Sequence, residues 1–284
     1  MVPPHPLNGG TITLLTDFGV SDPYVGVMKG VLRSLAPAAT VIDLTHEVSP
    51  QDVLQGAFLL EQAHRHFPTG TVHLVVVDPG VGTTRRRLAI AAGDYFYVGP
   101  DNGVLSAAIA DWTRGEREAV QPYATRDIML HADLLAVSID PANLGPRPIS
   151  ATFEGRDVFS PAAAHLARGD RIEALGTRTI SMHAYPAFTA PEQDNRLQGL
   201  ILHTDRYGNL ITDIRAADLP ANPVIQAAGR TFTLVPTYES AGGLCALAGS
   251  SGYIEIALPN GSAARELGIG PGESVLATAS VPEQ

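Results

Sequence analysis

The segment that most constrains the fold is a run of mostly β-branched and aliphatic residues, Val72 to Val77, that ends at Asp78. A run without polar alternation is typical of a strand buried on both faces of a sheet. Pro79, Gly80 and Gly82 then force the chain to turn. The carboxylate of Asp78 is therefore predicted at the carboxyl end of a parallel strand, the edge at which open α/β sheets bind ligands.

Three arginines follow this turn, and two interpretations of them are open. Arg85 lies seven residues after Asp78 and could fold back to pair with its carboxylate. Alternatively, Asp78 caps a turn and Arg85 to Arg87 form a solvated basic edge. Spacing alone slightly favours the second interpretation.

Other segments of the first half repeat the pattern of a short apolar strand that ends in acidic or amide residues. Helical patterns separate several of these strands, which indicates βαβ units and a parallel sheet. No Gly-rich phosphate-binding motif is present, so the acidic rim favours hydroxyl or cationic ligands over phosphates. The predicted strands are Thr11–Leu15, Val41–Leu44 and Tyr95–Val98, and the predicted helices are Val25–Leu35, Gln51–His66 and Pro161–Arg168, the last with Ser160 as N-cap.

The second part of the chain has a different character, because short strands follow one another with little helix between them. This pattern predicts a small β-barrel or sandwich after a proline-bearing linker. We therefore predict an α/β fold with two domains, a mainly parallel α/β domain over residues 1–187 and a small β-barrel over residues 188–284. The predicted strands are Leu197–His203, Leu210–Ile214, Pro223–Gln226, Thr231–Leu234, Tyr253–Ala257 and Ser274–Ala279.

Composition excludes several classes of protein. The formal net charge of −10 over 284 residues disfavours binding to nucleic acid or anionic membranes. The single cysteine, Cys245, allows no intrachain disulfide, and the histidines and carboxylates form no ligand-spaced metal cluster. No secretory signal or membrane-spanning run is evident, so a cytoplasmic location is expected.

The motifs, taken in order, resemble those of one family. They run from about Thr11 to Ala277 and read TDFG, DPYVG, DLTHEVSPQDV, VVDPGVGT, GPDNGVL, FEGRDVFSPAAAHLA, DRYGNLITDI and SSGYIEIA. They resemble the S-adenosylmethionine (SAM) hydroxide adenosyltransferase family, the adenosine-forming SAM hydrolases related to fluorinases and chlorinases. The resemblance implies a reaction of SAM with water that yields adenosine and methionine, with SAM as substrate and no cofactor. It also implies a homotrimer whose active sites lie between the N-terminal domain of one subunit and the C-terminal domain of the next.

The resemblance implies roles for residues of the first domain. Asp78 belongs to the group that activates water, and Arg85 beside it keeps the carboxylate ionised and oriented. Asp17 accepts hydrogen bonds from both ribose hydroxyls, for which two carboxylate oxygens are suited. Asp22 lies near the methionine end of the substrate, and Phe153 belongs to a substrate-binding motif.

The resemblance also implies roles for residues of the second domain. Tyr207 and Asn209 correspond to the adenine site, as a stacking face and an amide. Ser250 and Ser251 correspond to a Ser-Arg pair that holds the methionine moiety in the halogenases. Asp205 lies close to a methionine contact of the family, where the alignment is ambiguous by one residue.

Two positions depart from the family pattern. Glu154 stands where the hydrolases carry a histidine, so a carboxylate is expected to partner the attacking water and to share a proton with Asp78. A less favoured alternative is that His131 supplies the imidazole. Gln51 stands where the fluorinase has a tryptophan over the ribose, which removes an aromatic wall from the pocket.

Two other functions remain open at this point. A halogenase would need a dry halide pocket, and the carboxylate of Asp78 is expected to repel halide ions there. A non-catalytic protein that binds SAM or adenosine would keep the ribose and adenine residues and carry Glu154 as the mark of a broken water site.

Overall fold

The computed structural model describes residues 10–112, 123–146, 148–190, 192–193 and 196–279. The chain forms two compact units, the first ending at Pro186 and the second starting at Ala187. The division at 187/188 into two domains stays a prediction. Along the described ranges, no helix combines the length and the apolar character that a bilayer crossing needs.

The first unit alternates strands and helices in its first half, as the sequence predicts. The central strand of the prediction is β3, and all of its residues are buried. The strands are β1 Thr11–Thr16, β2 Thr40–Thr45, β3 Val72–Val76, β4 Arg87–Ala92, β5 Tyr95–Pro100, β6 Arg126–Met129, β7 Leu135–Ile139, β8 Gly176–Thr179 and β9 Ser181–Ala184, and the helices are α1 Tyr24–Leu35, α2 Val53–Ala63 and α3 Ser160–Ala167.

Seven of these strands form one sheet in the order β2-β1-β3-β5-β4-β7-β8. The neighbours β2-β1, β1-β3 and β3-β5 are parallel, whereas β5-β4, β4-β7 and β7-β8 are antiparallel. Strands β1, β2, β3, β5 and β7 therefore point in one direction, so the prediction of a mainly parallel sheet is confirmed. The antiparallel half arises because β4 and β5 form a hairpin, a connection that the predicted alternation of strands and helices does not include.

Helices cover both faces of this sheet, which explains why β3 carries apolar side chains on both sides. On one face, Leu74 packs with Met28 and Leu32 of α1 and with residues of α3. On the other face, Val75 packs with Leu60 of α2. The carboxyl end of β3 is thus held from two sides by packed helices, and the loop that carries Asp78 begins there.

Helix α3 differs from the prediction at its start, because Ser160 is not an N-cap. Its backbone is helical, with φ −64° and ψ −46°, and a π-helical turn over Gly155–Phe159 precedes it. The N–H and the hydroxyl of Ser160 both donate to the carbonyl of Gly155. Pro161 has no N–H to donate, and the wider π turn carries the helix through this position instead of ending it.

The second unit is an antiparallel sheet in the order β14-β13-β17-β11-β12-β16-β15, with β10 added to β11. A short bridge between Leu234 and Ala246 links the two ends of this order, so the sheet is nearly closed and barrel-like. All six strands predicted here are present; β10 and β15 are additional. The elements are β10 Glu192–Gln193, β11 Arg196–Thr204, β12 Leu210–Arg215, β13 Pro223–Ala227, β14 Arg230–Phe232, β15 Cys245–Ala248, β16 Tyr253–Ala257, α4 Ala263–Leu267 and β17 Ser274–Ala279.

Candidate functional site

Asp78 lies two residues beyond the end of β3, in a turn that brings Arg85 back to it. The amide of Val81 donates to the carbonyl of Asp78 at 3.2 Å, which closes the first part of the turn. The Nε of Arg85 donates to Oδ1 of Asp78 at 2.6 Å, and its Nη2 donates to Oδ2. This two-point geometry confirms the predicted pairing and orients the carboxylate firmly.

The alternative of a solvated basic edge is wrong for all three arginines. The side chain of Arg85 is only 9% exposed. Arg86 pairs with the buried Asp101 at 2.6 Å, and Arg87 pairs with the buried Glu154. Each arginine of the run therefore neutralises a buried carboxylate, a pairing that spacing alone does not reveal.

Glu154 joins the same cluster from a distant part of the chain, immediately before the π-helical turn. Its Oε2 accepts from Nη2 of Arg85 at 2.6 Å, and its Oε1 accepts from Nη2 of Arg87. The side chain is 2% exposed, so both carboxylate oxygens meet guanidinium groups inside the protein. That Glu154 partners the attacking water stays a prediction. We call Asp78, Arg85, Arg87 and Glu154 the carboxylate–guanidinium cluster.

Burial and the neighbouring Arg85 act in opposite directions on the pKa of Asp78. Desolvation raises the pKa of Asp78, the hydrogen bonds and positive charge of Arg85 oppose this rise, and the charge of Glu154 adds to it. The net direction of the pKa is upward. A carboxylate with a raised pKa is a stronger proton acceptor than an ordinary aspartate, provided that the pH keeps it ionised.

Asp17 follows β1 at the same edge of the sheet as Asp78. Its Oδ2 accepts from the backbone N–H of Gln51 at 2.8 Å, and Gln51 adopts a left-handed conformation with φ 67°. Phe18, the residue after Asp17, is one of three aromatic rings that pack together. The centroids of Phe18 and Tyr24 are 5.6 Å apart, and those of Tyr24 and Phe153 are 5.3 Å apart. Phe153 therefore packs with the segment that carries Asp17, as a shared binding role requires.

Two residues considered in the sequence lie outside these contacts. The side chain of Asp22 is exposed at the start of the segment that leads into α1. His131 is 58% exposed and lies 3.4 Å from Asp133, with which it can form an ion pair when protonated. The roles of Asp22 in binding and of His131 in catalysis stay predictions.

In the second unit, Asp205 organises the loop that carries the predicted adenine residues. Its Oδ1 accepts from the backbone N–H groups of Tyr207 and Asn209 at 2.9 and 2.8 Å. Its Oδ2 accepts from the side-chain amide of Asn209 at 2.9 Å. Because Asp205 holds the amino end of that amide, the carbonyl oxygen of Asn209 is the end left to accept from a ligand.

A groove of about 550 Å³ lies beside this loop and is lined by Tyr207, Asn209, Tyr238, Leu258 and neighbouring residues. The ring of Tyr207 is 78% exposed and available for stacking. Ser250 and Ser251 lie in the turn between β15 and β16, where the amide of Gly249 donates to the carbonyl of Tyr253. The second unit thus forms an aromatic and amide groove, and the two serines lie in the turn before β16, next to the end of β12.

Three residues of these sites are not predicted by the sequence patterns. In the sequence, Arg87 is recognisable only as part of a basic run; in the structure it begins β4 and pairs with Glu154. Tyr238 and Glu255 belong to no predicted site; the hydroxyl of Tyr238 donates to Oε2 of Glu255 at 3.3 Å. Burial raises the pKa of Glu255, and burial beside Glu255 raises the pKa of Tyr238 to about 12. Glu255 within the SSGYIEIA motif is the available signal, since a carboxylate among strand residues calls for a partner.

Among the described residues, no group of three or more histidine, cysteine or acidic side chains could hold a metal ion.

Comparisons with known proteins point to one family. Sequence profiles of the SAM hydroxide adenosyltransferase N-terminal and C-terminal domains match residues 12–176 and 199–276. The chain is 38% identical to an (R)-S-adenosyl-L-methionine hydrolase of Thermus thermophilus, over 93% of this chain and 98% of that one. It is also 38% identical to an enzyme of the same name from Salinispora tropica, over 94% and 97%.

More distant and structural relatives agree as well. A fluorinase of an Actinoplanes species is 30% identical over 75% of each chain. The fold matches a crystal structure of an uncharacterized conserved protein from Thermotoga maritima with a TM-score of 0.81 and 29% identity, over 94% of this chain and 99% of that one. Two profile matches that together span most of both units, and hydrolase relatives over nearly the full length, show that the chain belongs to the SAM hydroxide adenosyltransferase family.

Proposed function

We propose that the protein hydrolyses S-adenosyl-L-methionine to adenosine and L-methionine. The observation that carries the proposal is the buried, two-point pairing of Asp78 with Arg85 at the carboxyl end of β3. The hydrolase relatives support it, because they are more similar to the chain than the fluorinases are. The name of these relatives specifies the R configuration, and we extend the proposal to (R)-SAM as the preferred epimer.

In this mechanism, the oxygen of a water molecule attacks C5′ of the ribose. The C5′–S bond breaks, and the sulfonium sulfur leaves with the electron pair as the neutral thioether of methionine. Asp78 accepts the proton that the water loses, because its raised pKa makes it a competent base. Arg85 holds the carboxylate in one orientation, so that the base is ready before the substrate arrives.

The remaining contacts of the substrate follow from the chemistry of each side chain. Asp17 accepts from the two ribose hydroxyls, Tyr207 stacks on adenine, and the carbonyl oxygen of Asn209 accepts from the adenine amino group. Asp22 and the turn of Ser250 and Ser251 hold the methionine end. No cofactor takes part, because the sulfonium is already a good leaving group.

The assembly follows the same proposal. We infer a homotrimer in which the first domain of one subunit and the second domain of the next together hold one substrate molecule. Residues 1–187 and 188–284 are the two domains of this scheme, and the cytoplasm is the expected location. A fully active monomer, identified by light scattering of the protein during turnover, would contradict the shared site.

One incubation tests the reaction and its alternatives together. The purified protein is incubated with (R)-SAM or (S)-SAM in H₂¹⁸O, with and without fluoride or chloride. The products are then separated by chromatography and identified by mass spectrometry. We expect adenosine that carries ¹⁸O at the 5′ oxygen, together with methionine. A halogenated nucleoside would instead indicate a halogenase, and unchanged SAM that nevertheless binds would indicate a non-catalytic binding protein.

A further inference from the structure

The carboxylate–guanidinium cluster contains one more arginine than the pairing of Asp78 requires. We propose that Arg87 is a positioning residue for the hydrolysis reaction, acting through Glu154 and Arg85 to hold Asp78 in its reactive orientation and charge state. This inference rests on the proposed function for its catalytic meaning, but its central step concerns only residues of the first unit.

The contacts form a continuous chain of four side chains. Nη2 of Arg87 donates to Oε1 of Glu154, and the other oxygen, Oε2, accepts from Nη2 of Arg85 at 2.6 Å. Arg85 then donates to both oxygens of Asp78. Because Arg87 holds one oxygen of Glu154, the other is directed at Arg85. This contact helps to hold the guanidinium against Asp78, together with the carbonyl of Arg86, which accepts from Nη1 of Arg85 at 3.3 Å, and the ring of Phe159 beneath it.

The charges explain why a second arginine belongs in the cluster. Asp78 and Glu154 carry two negative charges, and their side chains are 5% and 2% exposed. Arg85 alone would leave one buried negative charge without compensation, which is costly in a poorly hydrated site. Arg87 restores neutrality, because the cluster then sets two guanidinium groups against two carboxylates.

The strand explains why Arg87 is suited to this task. It is the first residue of β4 and lies opposite Pro100 of β5, and the pairing of β4 with β7 begins at the next residue, Leu88. The neighbouring Arg86 lies on the same extended segment, where successive side chains point in opposite directions. Arg86 donates to Asp101, Thr179 and Ser181 and has no described contact with Glu154, which makes it a matched control.

The test measures the titration of the Asp78 carboxyl directly. The full-length protein is prepared with ¹³C-labelled aspartate, the Asp78 signal is assigned from its loss in Asp78→Asn, and its chemical shift is followed against pH. In Arg87→Met we expect the pKa of Asp78 to rise by about one pH unit, because a positive charge and the hold on Glu154 are both lost. The acid limb of kcat/KM is expected to move in the same direction. Arg87→Lys keeps a positive charge, so the pKa of Asp78 in that variant is expected to lie close to its value in the parent.

The background of Glu154→Gln shows whether Arg87 acts through Glu154. There we expect Arg87→Met to shift the pKa of Asp78 by less than half as much, since the link between the two arginines is already broken. Arg86→Met is expected to leave the titration of Asp78 where it is. If Arg87→Met does not fold, Arg87→Gln takes its place. Glutamine loses the charge but keeps an N–H donor for Glu154, so a smaller shift of the pKa of Asp78 in the same direction is expected.

Two results would overturn the inference: an unchanged titration of Asp78 in Arg87→Met or Arg87→Gln, or an equal shift in the Glu154→Gln background. Neither result depends on turnover. Failure of the parent protein to form adenosine would count against the proposed function, whereas the titration decides the role of Arg87 separately.

Discussion

The carboxylates in the proposed binding regions of the two units have different hydrogen-bond partners. In the first unit, Asp78 and Glu154 meet guanidinium groups, with four hydrogen bonds among Asp78, Arg85, Arg87 and Glu154. In the second unit, Glu255 meets the hydroxyl of Tyr238, and Asp205 meets amide N–H groups. Burial raises the pKa of both Asp78 and Glu255.

The partners of these carboxylates indicate what each carboxylate does. A guanidinium partner both orients a buried carboxylate and stabilises its negative charge, and a general base needs both. Neutral partners fix direction alone, which is enough to shape a loop or a groove. We therefore expect substitutions in the cluster to change chemistry and substitutions around Glu255 and Asp205 to change binding.

The largest expected effect comes from Asp78→Asn, which keeps the shape of the side chain but removes the proton acceptor. We expect kcat for adenosine formation to fall by about 10²–10⁴-fold. Adenosine binding, measured by calorimetry, should stay close to that of the parent, because in the proposed mechanism Asp78 contacts the attacking water and not the ribose. The matched change Glu255→Gln in the second unit should alter kcat far less; equal losses in the two variants would erase the contrast between the units.

The second effect concerns stability, and Glu154→Ala is its most direct probe. Removal of Glu154 leaves Arg87 without its carboxylate and Arg85 with one carboxylate fewer, so we expect a loss of about 3–5 kcal/mol in the free energy of unfolding. Loss of one neutral hydrogen bond in Tyr238→Phe is expected to cost about 1–3 kcal/mol. Denaturant unfolding of both variants measures the difference.

Glu154→Ala is also expected to slow hydrolysis strongly, because Arg85 loses a contact that directs it. His131→Ala serves as the control for the alternative source of a base and should turn over like the parent. If Glu154→Ala keeps full activity while His131→Ala loses it, the base lies outside the cluster.

The third effect is on substrate binding and tests the ribose contact. Asp17→Asn removes the charge that strengthens two hydroxyl donors, each worth about 1.5–3 kcal/mol, so affinity for SAM should fall at least about tenfold. Calorimetry with an inactive Asp78→Asn background allows binding to be measured without turnover. Parent-like affinity would mean that Asp17 serves only to hold the Gln51 loop.

The smallest effect is a shift in pH dependence. Asp78 must be ionised to accept a proton, and its pKa is raised above the ordinary value of 3.8, so activity should fall at a higher pH than for an ordinary aspartate as the solution is acidified. Glu154→Gln removes a negative neighbour and should move this acid limb to lower pH. A profile of kcat/KM against pH for the two proteins gives the sign; movement to higher pH would contradict it.

Much of the fold follows from local patterns in the sequence. The unbroken apolar run of β3 predicts burial on both faces, and the helical periods of α1 and α2 predict their positions. The turn residues Pro79 and Gly80 predict that Asp78 lies at the strand end. In the second unit, six strands follow from alternation and turn residues. The family can be recognised from the motifs, because they occur in the same order along the chain as in the family.

Which side chains contact one another depends on how distant segments pack in the folded chain. Glu154 lies 69 residues from Arg85 and 67 from Arg87, and only the packing of α3 against the sheet brings it to them. The hairpin that pairs β4 with β5 orients Arg87, and the π turn before α3 overrides the capping pattern at Ser160. Periodicity reports which face of an element is buried, but partners from distant segments depend on strand register and helix packing. Asp78 could therefore be identified as the candidate base from the sequence, whereas the arginine and glutamate side chains that balance its charge come together only on folding.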